Sequence, residues 1–165
     1  MASRHSKQRI LFALLAFRLL VAFIVVVWSP YEILSAHPGR PLADLAPLTL
    51  AGALLIALGM IVYLWCAWDF ASIGLSFGPH SLVARGIYGW LRHPMYFSLI
   101  LVLFGESLFF KSWRLLGYAS VFWLILHAFV VLFEEPRMAK RWGASYPQYC
   151  EQVPRWIPKF RRLGV

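Results

Sequence analysis

The sequence predicts an all-α integral membrane bundle: about four transmembrane helices, a cytoplasmic re-entrant loop and an interfacial C-terminal helix. Three observations carry this. Hydrophobic residues make up 61% of the chain and aromatic residues 17%, while only 14% are charged, well beyond the near-half apolar content of a soluble domain. Mean hydropathy is +0.67, and the apolar residues fall in long runs. The length, 165 residues, suits a single membrane domain, 1–165, and not comfortably two.

The first run covers about 10–28, the second about 45–68, the third about 95–110 and the fourth about 115–133. Three of them reach the roughly 20 residues that a helix needs to cross a hydrocarbon layer of about 30 Å. The third is shorter, but Pro94 can open its helix and Lys111 can snorkel at its far end. The short link KSWR joins it to the fourth run, so the two form a tight helical hairpin. The basic start at Arg4, Lys7 and Arg9 imitates a signal peptide, but the first run is too long and carries Arg18. The expectation is a retained first span.

Net charge is +9. With four spans, both termini share a side with Arg85, Arg92, Arg137, Lys140, Arg141, Arg155, Lys159, Arg161 and Arg162, against Arg40, Lys111 and Arg114 opposite. This asymmetry places both termini, the 69–94 loop and the tail in the cytoplasm. The 29–44 segment is rich in turn formers and reads as an external loop. Basic charge here means anionic lipid, not nucleic acid, because the aromatics lie inside apolar runs and form no stacking platform. Cys66 and Cys150 are far apart and show no metal spacing, so both read as ordinary thiols and no metal site is expected. The tail alternates bases with Trp142, Tyr146, Tyr149, Trp156 and Phe160. Gly143 can end one helix and Ser145 can cap the next, giving a segment that lies on the headgroups.

Polar residues in costly places mark the candidate site. Arg92 and His93 precede Pro94, whose helix turns its free N–H groups and positive dipole end toward them, with Tyr96 on the first turn. This is either an anion site or an interfacial belt. Glu134 and Glu135 stand at the end of the fourth span. Pro136 behind them should free the Leu132 carbonyl and kink the helix. The pair can bind a cationic or multi-hydroxyl ligand, or it can pair with Arg137, Lys140 and Arg141. The hairpin brings the two ends to one depth, so a zwitterion carrying a cation would fit between them. The 69–91 loop is too apolar for a solvated linker and reads as a re-entrant lid or a pocket lining. Arg18, Glu106 and His127 lie roughly 10–17 Å deep by helical rise. They suggest an Arg18–Glu106 structural pair or contacts to a substrate head group. Asp69, at the end of the second span, reads as a solvated carboxylate.

The run LVARGIYGWLRHPMYFS, the hairpin, and EEPRMAKRWGASYPQYCEQVPRWIP together resemble the isoprenylcysteine carboxyl methyltransferase and phospholipid methyltransferase superfamily of integral membrane enzymes. The resemblance covers about 81–158. The family's loop usually reads G-P-Y-R-Y-V-R-H-P, and here Ile87 replaces the proline and Gly89 an arginine. The resemblance implies S-adenosylmethionine as methyl donor, bound on the cytoplasmic side by elements 81–96 and 134–158. It implies Tyr88, Arg92, His93, Tyr96, Glu134 and Glu135 around that cofactor, with His93 and Glu135 nearest the chemistry. It also implies a methyl acceptor that is lipophilic or small: a prenylated cysteine carboxylate, a lipid amine or a thiol. Two other readings remain. The Ile87 and Gly89 departures suit a non-catalytic protein of the same fold, and the intramembrane Arg18, Glu106 and His127 suit a small transporter or channel component. Nothing in the sequence sets the oligomeric state.

Overall fold

The structure, a computed structural model, describes residues 16–36, 46–73 and 86–158. Helix α1 spans Ala16–Ala36 and α2 spans Ala46–Ile73. A single 3-10 turn, Gly86–Gly89, leads into α3, Pro94–Phe109. Helix α4 runs through Trp113–Trp142, and α5 is Ser145–Gln152. Among the described residues α1, α2 and α4 are long and apolar enough to cross a membrane, whereas α3 is a shorter apolar helix. Its 16 residues rise only about 24 Å. The outward faces of α2 and α4 expose Leu54, Ile61, Leu64 and Trp68, and Leu124, Ile125, Leu132 and Phe133. Helices apolar on the outside as well as the inside belong in lipid.

Both flanking long helices run past their expected ends. The segment after Trp28 reads as loop, yet Ser29–Ala36 continues α1 as helix. A π turn, Ile24–Trp28, absorbs the proline: the Ser29 N–H donates to the Ile24 carbonyl, five residues back. In that register Pro30 would reach Val25 but has no hydrogen to give. The Tyr118 hydroxyl donates to the Val25 carbonyl instead, at 3.1 Å. Helix α4 repeats the device. A π turn, Val130–Glu134, lets the Glu135 N–H donate to the Val130 carbonyl. The helix then continues past Pro136 to Trp142. The 74–85 part of the expected re-entrant loop lies outside the described residues.

The hairpin forms as expected. Ser112 caps α4 by accepting from the Leu115 N–H at 3.4 Å, and Lys111 takes a left-handed φ of 52° in the link. The tail helices also form, but Gly143, with φ 54°, ends α4 while Ala144, not Ser145, occupies the cap position of α5.

Helices α2 and α3 make the tightest interface. Gly52, Gly59, Tyr63 and Cys66 share the buried face of α2. A Cβ on Gly52 would stand 2.5 Å from the Phe109 nitrogen, and one on Gly59 2.8 Å from the Ser98 carbonyl. The two backbones meet where neither side chain intervenes, which is how helices associate when lipid removes the hydrophobic drive. The second span's glycines are therefore spent inside the bundle.

Candidate functional site

The start of α3 and the π turn of α4 come together at one end of the bundle, and the tail closes over them. Pro94 opens α3 with His93 in the cap position. This leaves Arg92 at a bend before the helix, from which its side chain reaches sideways. Its Nη1 donates to Glu135 Oε1 at 3.1 Å. Its Nε donates to the Val153 carbonyl at 2.6 Å and its Nη2 to the Cys150 carbonyl at 2.7 Å. The Arg92 N–H itself donates to the Pro154 carbonyl at 3.0 Å. Arg155 then grips Glu135 with both nitrogens, Nε to Oε1 at 2.8 Å and Nη2 to Oε2 at 2.6 Å. Such a fork fixes geometry as well as charge.

His93 lies between the two carboxylates. Its Nε2 is 3.6 Å from Glu135 and its Nδ1 is 4.0 Å from Glu134. The residue is only 5% exposed. Burial pushes its pKa down to about 4, even though Glu135 beside it favours the proton. His93 is therefore neutral at pH 7. Both His93 Nε2 and Glu134 Oε2 are buried without a hydrogen-bond partner. Tyr96 stacks on His93 with ring centroids 5.9 Å apart and faces Glu134. Tyr88 joins from the 3-10 turn, where burial lifts its phenol to about 12. The Tyr149 hydroxyl pins that turn by donating to the Tyr88 carbonyl at 2.8 Å. Gly86 makes the turn possible. Its φ of +61° is left-handed, and the Asp69 carboxylate lies 2.9 Å from where a Cβ would stand. Asp69, half-buried, thus packs against this turn.

All six residues expected around a ligand, Tyr88, Arg92, His93, Tyr96, Glu134 and Glu135, are brought into this one cluster. The deeper residues part company. Arg18 acts on Tyr63, Tyr88, Tyr96 and Glu134, so it belongs to the same cluster. Among the described residues no cation acts on Glu106, and its Oε2 is buried unpartnered. The expected Arg18–Glu106 pair does not form, because Arg18 reaches the end of the bundle where the carboxylate of Glu134 lies. His127 accepts a hydrogen bond at Nδ1 from the Trp156 indole at 2.9 Å.

The sequence reading laid Tyr149 and Trp156 on the headgroups and gave Arg155 and the carbonyls of Cys150 and Val153 no part in the cluster, whereas Tyr149 pins the Tyr88 turn and Trp156 faces His93. The V-P-R-W-I-P run was the available signal for Arg155 and Trp156. The backbone carbonyls had none, because any residue type supplies one. Among the described residues no group of three or more His, Cys, Asp or Glu is placed to hold a metal ion.

Chemically, the cluster offers two buried acceptors, a neutral imidazole and tyrosine hydroxyls at the mouth of an apolar bundle. The phospholipid methyltransferase family matches residues 48–145, more than half of the chain. Protein-S-isoprenylcysteine O-methyltransferase of Schizosaccharomyces pombe is 31% identical over 80 residues, which cover 48% of this chain and 34% of that relative. The match thus spans about a third of the relative's length.

Proposed function

This chain belongs to the phospholipid methyltransferase family, and from that premise we propose that it moves a methyl group from S-adenosylmethionine to a lipophilic or small acceptor at the membrane. The observation that carries the reading is the pair of unpartnered buried atoms, His93 Nε2 and Glu134 Oε2, inside one cluster. Leaving such atoms unpaired costs about 1–3 kcal/mol each. A ligand bearing an ammonium, hydroxyls and a carboxylate recovers that cost, and the donor set fits those groups.

When bound, the cofactor supplies an electrophilic methyl group on a sulfonium. The chain's own residues bind and orient. Glu134 accepts from an ammonium or ribose hydroxyl. Arg92 and the α3 N-terminus favour a carboxylate. Tyr88, protonated at neutral pH, donates. His93 contributes a neutral hydrogen-bonding ring and is a weak base, which suits a reaction at carbon whose nucleophile is already a carboxylate or thiolate. Glu135 lies beside His93 and holds Arg92 and Arg155 in place around it. Positioning and exclusion of water supply most of the rate. The acceptor enters from the bilayer, along the apolar outer faces of the helices. A prenylated cysteine carboxylate, a lipid amine and a small thiol all remain within this class. Both termini and the cluster face the cytoplasm in this reading, by the lysine and arginine excess.

The test is calorimetric binding of S-adenosylmethionine to the detergent-purified chain, with Glu134→Gln and His93→Ala checked for folding by circular dichroism. Micromolar binding lost in both folded variants supports the assignment, and labelled methyl donor then identifies the acceptor in lipid. Wild-type binding in both variants would remove this site from consideration.

A further inference from the structure

His93 is covered by two rings. Tyr96 lies on one side, and Trp156 on another with centroids 6.2 Å apart and planes tilted by 41°. Tyr96 is local, one helical turn along α3. Trp156 comes from the far end of the chain and reaches His93 only because the tail is docked. What sets its angle is His127. The Trp156 Nε1–H donates to His127 Nδ1 at 2.9 Å, and the His127 ring is braced by Trp123 at 5.7 Å, nearly parallel at 30°. In this contact the His127 Nδ1 is the acceptor and the indole N–H the donor. Indole offers a single donor. With that donor turned to α4 and the backbone held at Arg155, the indole lies against His93.

We propose that Trp156 is the wall that keeps water off His93 and the surrounding cluster, and that His127 is the positioning residue that holds this wall. The functional meaning of the wall rests on the methyl-transfer reading above, whereas the exclusion of water does not. Three observations besides the ring geometry support it. His93 is almost fully buried, and its Nε2 has no hydrogen-bond partner. The tail is clamped next to Trp156 by Arg155 on Glu135, so the wall is fastened on both sides. And burial dominates the depressed pKa of His93, against the opposing pull of Glu135. The groups that face His93 are Glu135 and Glu134 from α4, Arg92 beside it, Arg155 and Trp156 from the tail, and Tyr96 from α3. None of these except Trp156 touches His127 by a hydrogen bond among the described residues.

A tryptophan that merely glues the tail would leave the hydration of His93 to the other neighbours. The experiment reads that hydration directly. The full chain, labelled in its histidines, is titrated by NMR in detergent micelles, and the His93 signal is identified by its loss in His93→Gln. Trp156→Ala should raise the His93 midpoint from about 4 toward the ordinary 6.5, by about one pH unit or more. His127→Phe, which leaves Trp156 in place but removes its acceptor, should raise it as well. His127→Gln restores an acceptor oxygen and should hold the midpoint near wild type. Since Trp156→Ala can undock the tail, the Phe and Gln variants at 127 decide between wall and glue. Equal midpoints in His127→Phe, His127→Gln and wild type overturn the proposal. A raised midpoint in His127→Phe supports it even where S-adenosylmethionine fails to bind, an outcome that would count against the methyltransferase reading alone.

Discussion

Arg92 and Glu135, 43 residues apart in sequence, meet side chain to side chain at 3.1 Å. Their contact joins the start of α3 to the π turn of α4. It also recruits the tail, because Arg92 holds the carbonyls of Cys150 and Val153 while Glu135 holds Arg155. Opposite charges expected to face a ligand are thus partly used on each other and on the tail.

Glu135→Gln therefore removes the anion from two partly buried guanidinium groups. Breaking a pair of this kind costs about 3 kcal/mol, mostly the penalty of the charges left behind. The variant should melt earlier in detergent and become sensitive to proteolysis near residue 153. A melting temperature and cleavage pattern equal to wild type would show that the clamp contributes nothing.

The α2–α3 interface makes an opposite pair of forecasts for one kind of substitution. Gly52→Ala places a Cβ 2.5 Å from the Phe109 nitrogen and 2.6 Å from the Gly105 carbonyl. Backbone cannot give way as a side chain can, so the helices must separate, at about 1–3 kcal/mol. Gly117→Ala meets nothing within 4 Å and gains helix propensity, stabilising α4 by about 0.5–1 kcal/mol. Thermal unfolding of both variants checks the contrast. Equal effects would contradict the packing described.

Acid should destabilise the fold through His93. Its folded pKa is depressed, to about 4 from 6.5, so between those values the unfolded chain takes the proton and the folded chain does not. The stability it contributes is fully present above about pH 6.5. It is lost as pH falls toward 4, amounting to about 3 kcal/mol over that window. His93→Gln, which does not titrate, should lose correspondingly less. Parallel stability curves for the two proteins between pH 6.5 and 4 would refute this.

Tyr118→Phe tests the π turn of α1. The Val25 carbonyl then loses the hydroxyl that replaces the missing proline N–H, in a setting where water cannot substitute. A loss of about 1–2 kcal/mol is expected. Pro30→Ala in the same background should recover part of it, since the helix regains its own donor. Failure of the second change to rescue the first would mean that Val25 is satisfied elsewhere.

Several parts of this protein were legible before any fold was known, and for a physical reason. Long apolar runs, Pro94, the short KSWR link and Gly143 act through local geometry and the cost of polar groups in hydrocarbon. So the helices, the hairpin and the meeting of the Arg92 and Glu134 ends could be read from them. Arg92, His93, Glu134 and Glu135 were legible because polar groups beside apolar runs are expensive and need a reason, whereas Tyr88 entered only through the family resemblance. The length of α1 and the position of Arg18 were not legible. Each depends on a partner far away in sequence: a tyrosine for Val25, a carboxylate cluster for Arg18.

By itself the sequence determined that this chain is a helical membrane protein with charged residues gathered at its helix ends, because hydrophobicity and helix-end chemistry are properties of neighbouring residues. Only the tertiary structure decided who pairs with whom at that site. Glu135 could have met Arg137, Lys140 or Arg141 on its own helix, yet it meets Arg92 and Arg155. His127 could have been paired with any buried polar group, yet it holds Trp156. The physical reason is that a side chain's partners are set by which backbones can approach. Here the bare glycines of α2 and the closure of the tail over α3 and α4 decide that approach.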